Sequence, residues 1–480
     1  MSSDAALNIT IIGAGIAGLS TALALSHANP HHDITVLEAK EYLSELGAGI
    51  QLAANSVRVL DGWGLTHHLE RVASEASRTS IRRWRDGREI GALEHNPASA
   101  WLYGWPHWQM YRPDLQRVLY GAVRRFANVK VLFGHAAKHV DHVTGTVTAD
   151  DGEVFESDLV VAADGIGSKM RLCMPETSDL VPTPYPEHTY RAVIPRARML
   201  SNPVTAALMT EPESKAWVGP GVIIMGYAIA SGELYNVLVN TPRRDPDAPL
   251  VAWSQPGDVN ALRGAVEGWC QQVEELLSLI EEDECTVWAL GEVLDAPTYA
   301  SESGRMALVG DAAHALLPHD MQGGGMAIED AASLAQFLTS AKSKKDLPRV
   351  MAAWSAFRQG RVERLREMSR NNARLFSLRD GPAQAVRDRQ WAAAREDAQE
   401  DEAIEGRLMS PDDVQRRRVA RARPPPDPTA RSSVEPGGAM WINGYDVVDE
   451  SRRYCRQHLH VHLNGRGGSG EGLVEGDHDA

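Results

Sequence analysis

The sequence predicts an α/β fold: a Rossmann-like domain on a parallel sheet, an inserted and mainly antiparallel β-sheet domain, and a helical, partly disordered C-terminus. Three observations predict it. A β-branched run, a glycine-rich turn and an Ala- and Leu-rich helical segment open the chain, and a second strand follows at residues 34–38. Between Tyr190 and Val239 the pattern changes to successive strand-like pieces, which calls for a separate sheet. A strand ending at Gly310 and a long helical segment then return to the first pattern. The expected boundaries are 1–175 for the first part of the nucleotide-binding domain, 176–285 for the substrate-binding sheet, 286–378 for the second part with its helices, and 379–480 for the C-terminal extension.

Taken in order, ITIIG at 9–13 is a short β-branched run that breaks at glycine, a helix runs on through Leu25, and ITVLE completes a βαβ unit. A helix from Arg112 to Phe126, short strands around the Asp151-Gly152 turn and the apolar strand DLVVAAD lead to Asp164. YRAVIP, VIIMGYAIA and LYNVLVN supply the inserted sheet, and a helical stretch spans Val266 to Ile280. MALVG then ends at Gly310, and GGMAIEDAASLAQFL reads as one long helix. Beyond about Asp380 the segments EDAQEDE, QRRRVARAR, PPPDP and NGRGGSGEG are poor in core-forming residues, so most of 396–438 and of 464–480 is expected to be disordered. The five arginines between Arg416 and Arg423 read as a solvated linker before they read as an import or polyanion signal.

The chain has 480 residues, with 49 Lys+Arg against 64 Asp+Glu and a net charge of −15. No general basic field exists to displace counterions from phosphates, which argues against nucleic-acid binding. No run approaches the ~20 apolar residues of a membrane-spanning helix. MSSDAALN carries an Asp and no Lys or Arg, unlike a secretory signal. The four cysteines lie far apart without Cys-x-x-Cys spacing, so a reducing cytoplasm is expected. The histidines, including HLHVH at 458–462, which alternates as a strand could, show no ligand spacing that predicts a catalytic metal.

Gly13-Ala14-Gly15-Ile16-Ala17-Gly18 matches G-x-G-x-x-G between a strand and a helix, where glycines permit a tight turn and close approach of backbone to a pyrophosphate. Glu38, at the end of the second strand, is placed to accept from ribose hydroxyls and would repel the 2′-phosphate of a directly bound NADP. The motif alone does not separate NAD from FAD; close helix packing is the alternative for the glycines, and the strand, helix and acidic residue in their places favour a dinucleotide. Asp164 and Asp311 each end a strand, where open α/β sheets bind ligands. A turn or helix-cap role explains either one alone.

GAGIAG, GAGIQL at Gly47 to Leu52, YRPDLQRVL at Tyr111 to Leu119, ADGIGSKMR and GDAAHALLPHDMQGGGMAIEDA occur in this order. Together they resemble the single-component FAD-dependent aromatic hydroxylases, most closely the salicylate hydroxylase-like branch with its fungal tailoring monooxygenases. The resemblance covers roughly residues 8 to 378, and WINGYDV near Trp441 is similar to a C-terminal segment of that family. It implies Gly13, Gly15, Gly18 and Glu38 at the ADP half of FAD. It implies Gly49, Ile50 and Gln51 against the isoalloxazine, Arg112 on the flavin, and Asp164 in a motif tied to both FAD and NAD(P)H. Asp311 would bind the ribityl or pyrophosphate region, and Pro318, Gln322, Gly323 and Gly324 would border the ring. Glycines opening a helix also offer N–H donors that stabilise negative charge on reduced flavin. Where the family often has Pro-Pro before Asn55, this chain has Ala53-Ala54, which implies a looser turn.

The implied reaction uses NADPH or NADH to reduce FAD, then O2 to form a flavin C4a-hydroperoxide that hydroxylates a small phenolic or aromatic acid. Decarboxylation, dearomatisation and the oligomeric state stay open. Arg191 is a candidate partner for a substrate carboxylate or phenolate, with a strand-end salt bridge as the alternative. Tyr227 is a candidate donor or a half-buried sheet aromatic. His319 is a candidate proton acceptor, and His314 reads as structural. A flavin-dependent reductase or dehydrogenase, or a non-enzymatic flavoprotein scaffold, are the competing functions. The Trp-x-Trp-x-Ile-Pro signature of flavin halogenases is absent.

Overall fold

The computed structural model describes residues 6–43, 47–246, 253–392, 430–432 and 436–459. Five parallel strands lie in the order Met306–Leu308, Leu159–Ala162, Asn8–Ile12, Asp33–Glu38 and Val129–Phe133. The strands Leu159–Ala162 and Met306–Leu308 are buried at every residue, which suits a parallel sheet covered on both faces and explains their continuous apolar runs. The helix Ile16–Ala28 is hydrophobic nearly all round because it is covered by the helix Gly323–Leu338 as well as by the sheet. An antiparallel pair, Thr146–Ala149 and Val154–Glu156, turns through Gly152 at φ +91° and joins Ala137–Asp141 in a three-stranded sheet.

The second large sheet has eight strands in the order Ser254–Pro256, Thr286–Glu292, Thr183–Pro195, Leu234–Pro242, Val222–Ile229, Glu213–Gly219, Arg78–Arg83 and Glu89–Glu94. All pairs are antiparallel except Glu213–Gly219 with Arg78–Arg83. The sheet thus reaches beyond 176–285 in both directions, and the pair at 78–94 joins it across more than a hundred residues of sequence, a pairing that periodicity cannot announce. Alternation along its strands sends Tyr190, Ala192, Ile194, Tyr235, Val237 and Val239 into one core with the helices behind. Thr189, Arg191, Val193 and Asn236 therefore occupy the opposite face. Tyr227 stands directly across from Asn236 and shares it.

The helix Leu347–Phe376 runs along the first domain, and Pro436–Asn443 and Val447–His458 return against it. Residues 430–432 correct the expected disorder of 396–438 where the chain is described. Arg364 donates to the carbonyl of Ala430, Asn371 to that of Arg431, and Ala430 and Ser432 are buried. The remainder of that stretch up to 429 and all of 464–480 lie outside the described residues. His458 ends a helix, so the strand reading of 458–462 fails at its first residue. Nor is the turn after GAGIQL loose: a helix begins at Ala54, which is fully buried.

Candidate functional site

The three glycines of the first turn do three different things. Gly13 sits at φ +103°, where a Cβ would lie 2.6 Å from the carbonyl oxygen of Ala163. A Cβ on Gly18 would stand 1.9 Å from the carbonyl oxygen of Gly13, so this glycine lets the helix pack onto the turn. Around Gly15, which caps the helix Ile16–Ala28, no atom lies within 4 Å of the Cβ position. The result is an open backbone face at a helix N-terminus, the geometry that accepts a phosphate. Glu38 ties the second strand to this turn: its Oε2 accepts from the Ala14 N–H at 2.8 Å and its Oε1 from that of Lys40 at 3.1 Å.

A second wall comes from Gly49–Leu52, paired with Trp108–Tyr111. The N–H of Gly49 donates to Asn236 Oδ1 at 2.7 Å, and the Tyr227 hydroxyl lies 2.5 Å from where a Gly49 Cβ would be. Gln51 is buried, bonds the His107 ring at 2.9 Å and meets the Tyr227 hydroxyl. On its other side this wall meets the start of the helix Gly323–Leu338, because Ile50 Cδ1 stands 2.7 Å from the Cβ position of Gly324. Gly323 has nothing within 4 Å of its Cβ position and is exposed, so a second helix N-terminus opens beside the first wall. Gln322, which caps this helix, accepts from Asn55 Nδ2 at 3.0 Å.

Asp311 begins the short helix Asp311–His314, after Gly310 at φ +59°. It is accessible at its surface yet ringed by protein, as the floor of a cleft is. Desolvation raises its carboxyl, with His314 and Arg112 opposing. Arg112, first in the helix Arg112–Val123, is desolvated in turn and feels Asp311. Asp164 is engaged by its own loop: Ser168 Oγ donates at 2.6 Å, and the N–H groups of Lys169 and Met170 donate at 3.0 and 3.3 Å. Arg171 from that loop donates to the Ala312 carbonyl at 2.8 Å, which links Asp164 to the Asp311 helix without bringing its carboxylate into the cleft.

Arg191 lies in the middle of the strand Thr183–Pro195. Its guanidinium stacks over Trp288 at 4.7 Å, and its Nε is buried without a hydrogen-bond partner among the described residues. The strand-end salt bridge is therefore not what the structure contains. Desolvation lowers its pKa, Tyr227 and Asp311 oppose this, and Arg112 adds to it. Burial raises the Tyr227 phenol well above its usual range, leaving it a protonated donor beside Arg191. Pro318 opens the turn Pro318–Asp320, and the buried ring of His319 places Nε2 3.9 Å from Glu187 Oε2. Burial takes His319 down to about 4 and Glu187 up to about 7. His314 pairs instead with buried Asp330 at 2.6 Å, a structural position.

Sequence reasoning missed the support beneath this cleft. Glu329 and Asp330 are fully buried in the helix Gly323–Leu338 and meet Arg358 and Arg361 of the long helix at 2.8–3.0 Å. Asn55 donates both to Glu329 and to Gln322, connecting that ion cluster to the cleft. Asn236 was also missed, although a polar residue at an alternating position in LYNVLVN could have marked it. A surface hollow between the helices Val259–Gly264 and Gln271–Ser278 shares no residue with the cleft.

Two open helix N-termini, an accessible carboxylate in a protein-ringed cleft and a guanidinium whose Nε has no partner among the described residues fit a dinucleotide with a planar ring at one end. The FAD binding domain family matches residues 6–369. The chain belongs to the FAD-dependent monooxygenases. A 3-amino-4-hydroxybenzoate 2-monooxygenase of Streptomyces platensis, PtnB3, is 34% identical over 80% of this chain and 92% of its own length. The FAD-dependent monooxygenase OpS4 of Beauveria bassiana is 30% identical over 80% and 88%. Among solved structures, a salicylate hydroxylase substrate complex superposes with a TM-score of 0.69 at 21% identity, covering 94% of this monooxygenase and 98% of that chain. CtdE in complex with FAD and substrate gives 0.73 at 16% identity, covering 95% and 99%. No helix among the described residues of the monooxygenase is long and apolar enough to cross a membrane.

Proposed function

We propose that this monooxygenase hydroxylates a small phenolic acid in the cytoplasm, with NADH or NADPH as reductant and O2 as co-substrate. The observation that carries this reading is Arg191, a desolvated guanidinium that no carboxylate among the described residues salt-bridges, next to the Tyr227 hydroxyl on the cleft face of the sheet. An arginine in that state suits a carboxylate or phenolate, to which it can present a planar fork of donors. When bound, FAD supplies the redox chemistry, taking reducing equivalents from NAD(P)H and converting O2 into a hydroxyl donor.

The chain's own residues then bind, orient and manage protons. Gly13, Gly15, Gly18 and Glu38 would hold the ADP half, and Asp311 would take the ribityl or pyrophosphate region. Gly49, Ile50, Gln51, Arg112, Pro318, Gln322, Gly323 and Gly324 would border the ring, and the helix N-terminus at Gly323 would favour negative charge there. Asp164 acts by holding the Asp311 helix in place through Arg171. Arg191 and Tyr227 orient the acidic substrate, and His319, a free base at neutral pH, takes its phenolic proton. The test is steady-state turnover of the FAD-loaded protein with salicylate, 3-amino-4-hydroxybenzoate and the neutral phenol catechol. Acidic phenols should stimulate NAD(P)H oxidation together with O2 uptake. Stimulation by catechol alone would contradict the role given to Arg191.

A further inference from the structure

The strand Thr183–Pro195 loses register with Thr286–Glu292 between Pro184 and His188. Against Leu234–Pro242 the register is unbroken from Glu187 to Pro195, so alternation puts Glu187 on the same face as Thr189 and Arg191. Glu187 Oε2 is buried without a hydrogen-bond partner among the described residues, and so is His319 Nε2, yet the two atoms stand only 3.9 Å apart. That is too long for a hydrogen bond between them, while one oxygen or nitrogen placed about 2.8 Å from each fits. Buried polar atoms are rarely left unpaired, so two orphans aimed at one gap call for a shared ligand. The gap lies on the strand that carries Arg191 and beside the Pro318 turn at the predicted ring border.

We propose that Glu187 and His319 form a two-point seat for the ring hydroxyl or amino group of the substrate, a role that rests on the phenol-hydroxylating reading above. For a phenol, the O–H bond breaks and an N–H bond forms at His319 Nε2. The electron pair remains on the phenolate oxygen, which accepts from the imidazolium N–H so formed and from the protonated Glu187 carboxyl. Neutral pH places His319 as free base and Glu187 near half-ionisation. The titratable and charged groups around the pair are Tyr185 on the same strand, Glu292 paired with Arg370 at 3.0 Å, Arg366 near Glu292, and Asp320, which accepts from Asn372 at 2.6 Å.

The experiment uses the full-length FAD-loaded protein and 3-fluoro-4-hydroxybenzoate as probe, whose fluorine chemical shift reports phenol ionisation without interference from flavin absorbance. Bound to the wild type, the probe should ionise at least about one pH unit, or tenfold in proton affinity, below its value in free solution. Glu187→Gln should move that midpoint back up by about as much, His319→Gln should do the same, and Glu187→Asp should retain part of the wild-type shift. A wild-type midpoint in Glu187→Gln overturns the proposal, as does loss of FAD from both Glu187 variants or a wild type that leaves the probe's ionisation unchanged. An intact shift with no oxygen insertion into any phenol would uphold the seat and sink the hydroxylase reading. Oxygen insertion that proceeds equally in Glu187→Gln would do the reverse.

Discussion

Replacing Arg191 by methionine separates a guanidinium kept for a ligand from one kept for the fold. Had Arg191 been half of a buried ion pair, its removal would strand a carboxylate and cost about 3–5 kcal/mol of stability. Here no carboxylate among the described residues is salt-bridged to it, the Nε is unsatisfied and the group is desolvated, so the variant sheds a burial penalty. Methionine keeps apolar contact with Trp288. Unfolding free energy should therefore stay within about 1 kcal/mol of wild type or rise. With an acidic phenol, by contrast, charge-assisted hydrogen bonds of about 1.5–3 kcal/mol disappear, which is roughly 10- to 150-fold in kcat/KM. The assay compares kcat/KM for a hydroxybenzoate and for catechol, alongside denaturant unfolding at equal FAD saturation. A loss of several kcal/mol in stability with kcat/KM unchanged for the acid would refute the reasoning.

The glycine turn yields a paired expectation. Gly15→Ala should leave the apoprotein as stable as wild type but weaken FAD binding, read by quenching of flavin fluorescence, because its Cβ enters only open space. Gly18→Ala should lower the melting temperature of the apoprotein itself, because its Cβ meets the Gly13 carbonyl at 1.9 Å. Glu329→Gln deprives buried Arg358 and Arg361 of their shared carboxylate and should cost about 3–5 kcal/mol in urea unfolding. His95, stacked on His107, is held down to about 4 by burial, against an ordinary 6.5. Between those values the unfolded chain binds the extra proton, so its contribution is complete above pH 6.5 and is lost as pH falls toward 4. His95→Gln should therefore flatten the acid limb of the stability profile by about 3 kcal/mol.

What the sequence revealed and what it concealed differ in range. The glycine turn, GAGIQL and the segment from Gly310 to Gly324 each combine a local conformational demand with a local composition, so their residues could be named from spacing, and the structure packs Ile50 against Gly324 and Ala17 against Gly310. Asp164 also sits where expected, but whether its carboxylate faces a ligand or its own loop depends on Ser168 and the backbone geometry, which spacing does not encode. Arg358 and Arg361 read as charges on a polar helix, and only contact with Glu329 and Asp330, about thirty residues away, shows them to be buried. Glu187 was invisible for a similar reason: alternation puts it on the Arg191 face, but only the approach of His319, about 130 residues on, marks it.

The central claim is that this cleft inserts one atom of O2 into a phenolic acid at the expense of NAD(P)H. It is tested most directly by turnover under oxygen-18 gas with mass analysis of the product. One labelled oxygen per product molecule, with NAD(P)H and O2 consumed in equal amounts, is the predicted result. NAD(P)H oxidation that returns all the label as hydrogen peroxide, or that needs no O2 at all, across salicylate, aminohydroxybenzoate and hydroxybenzoate substrates, would contradict it.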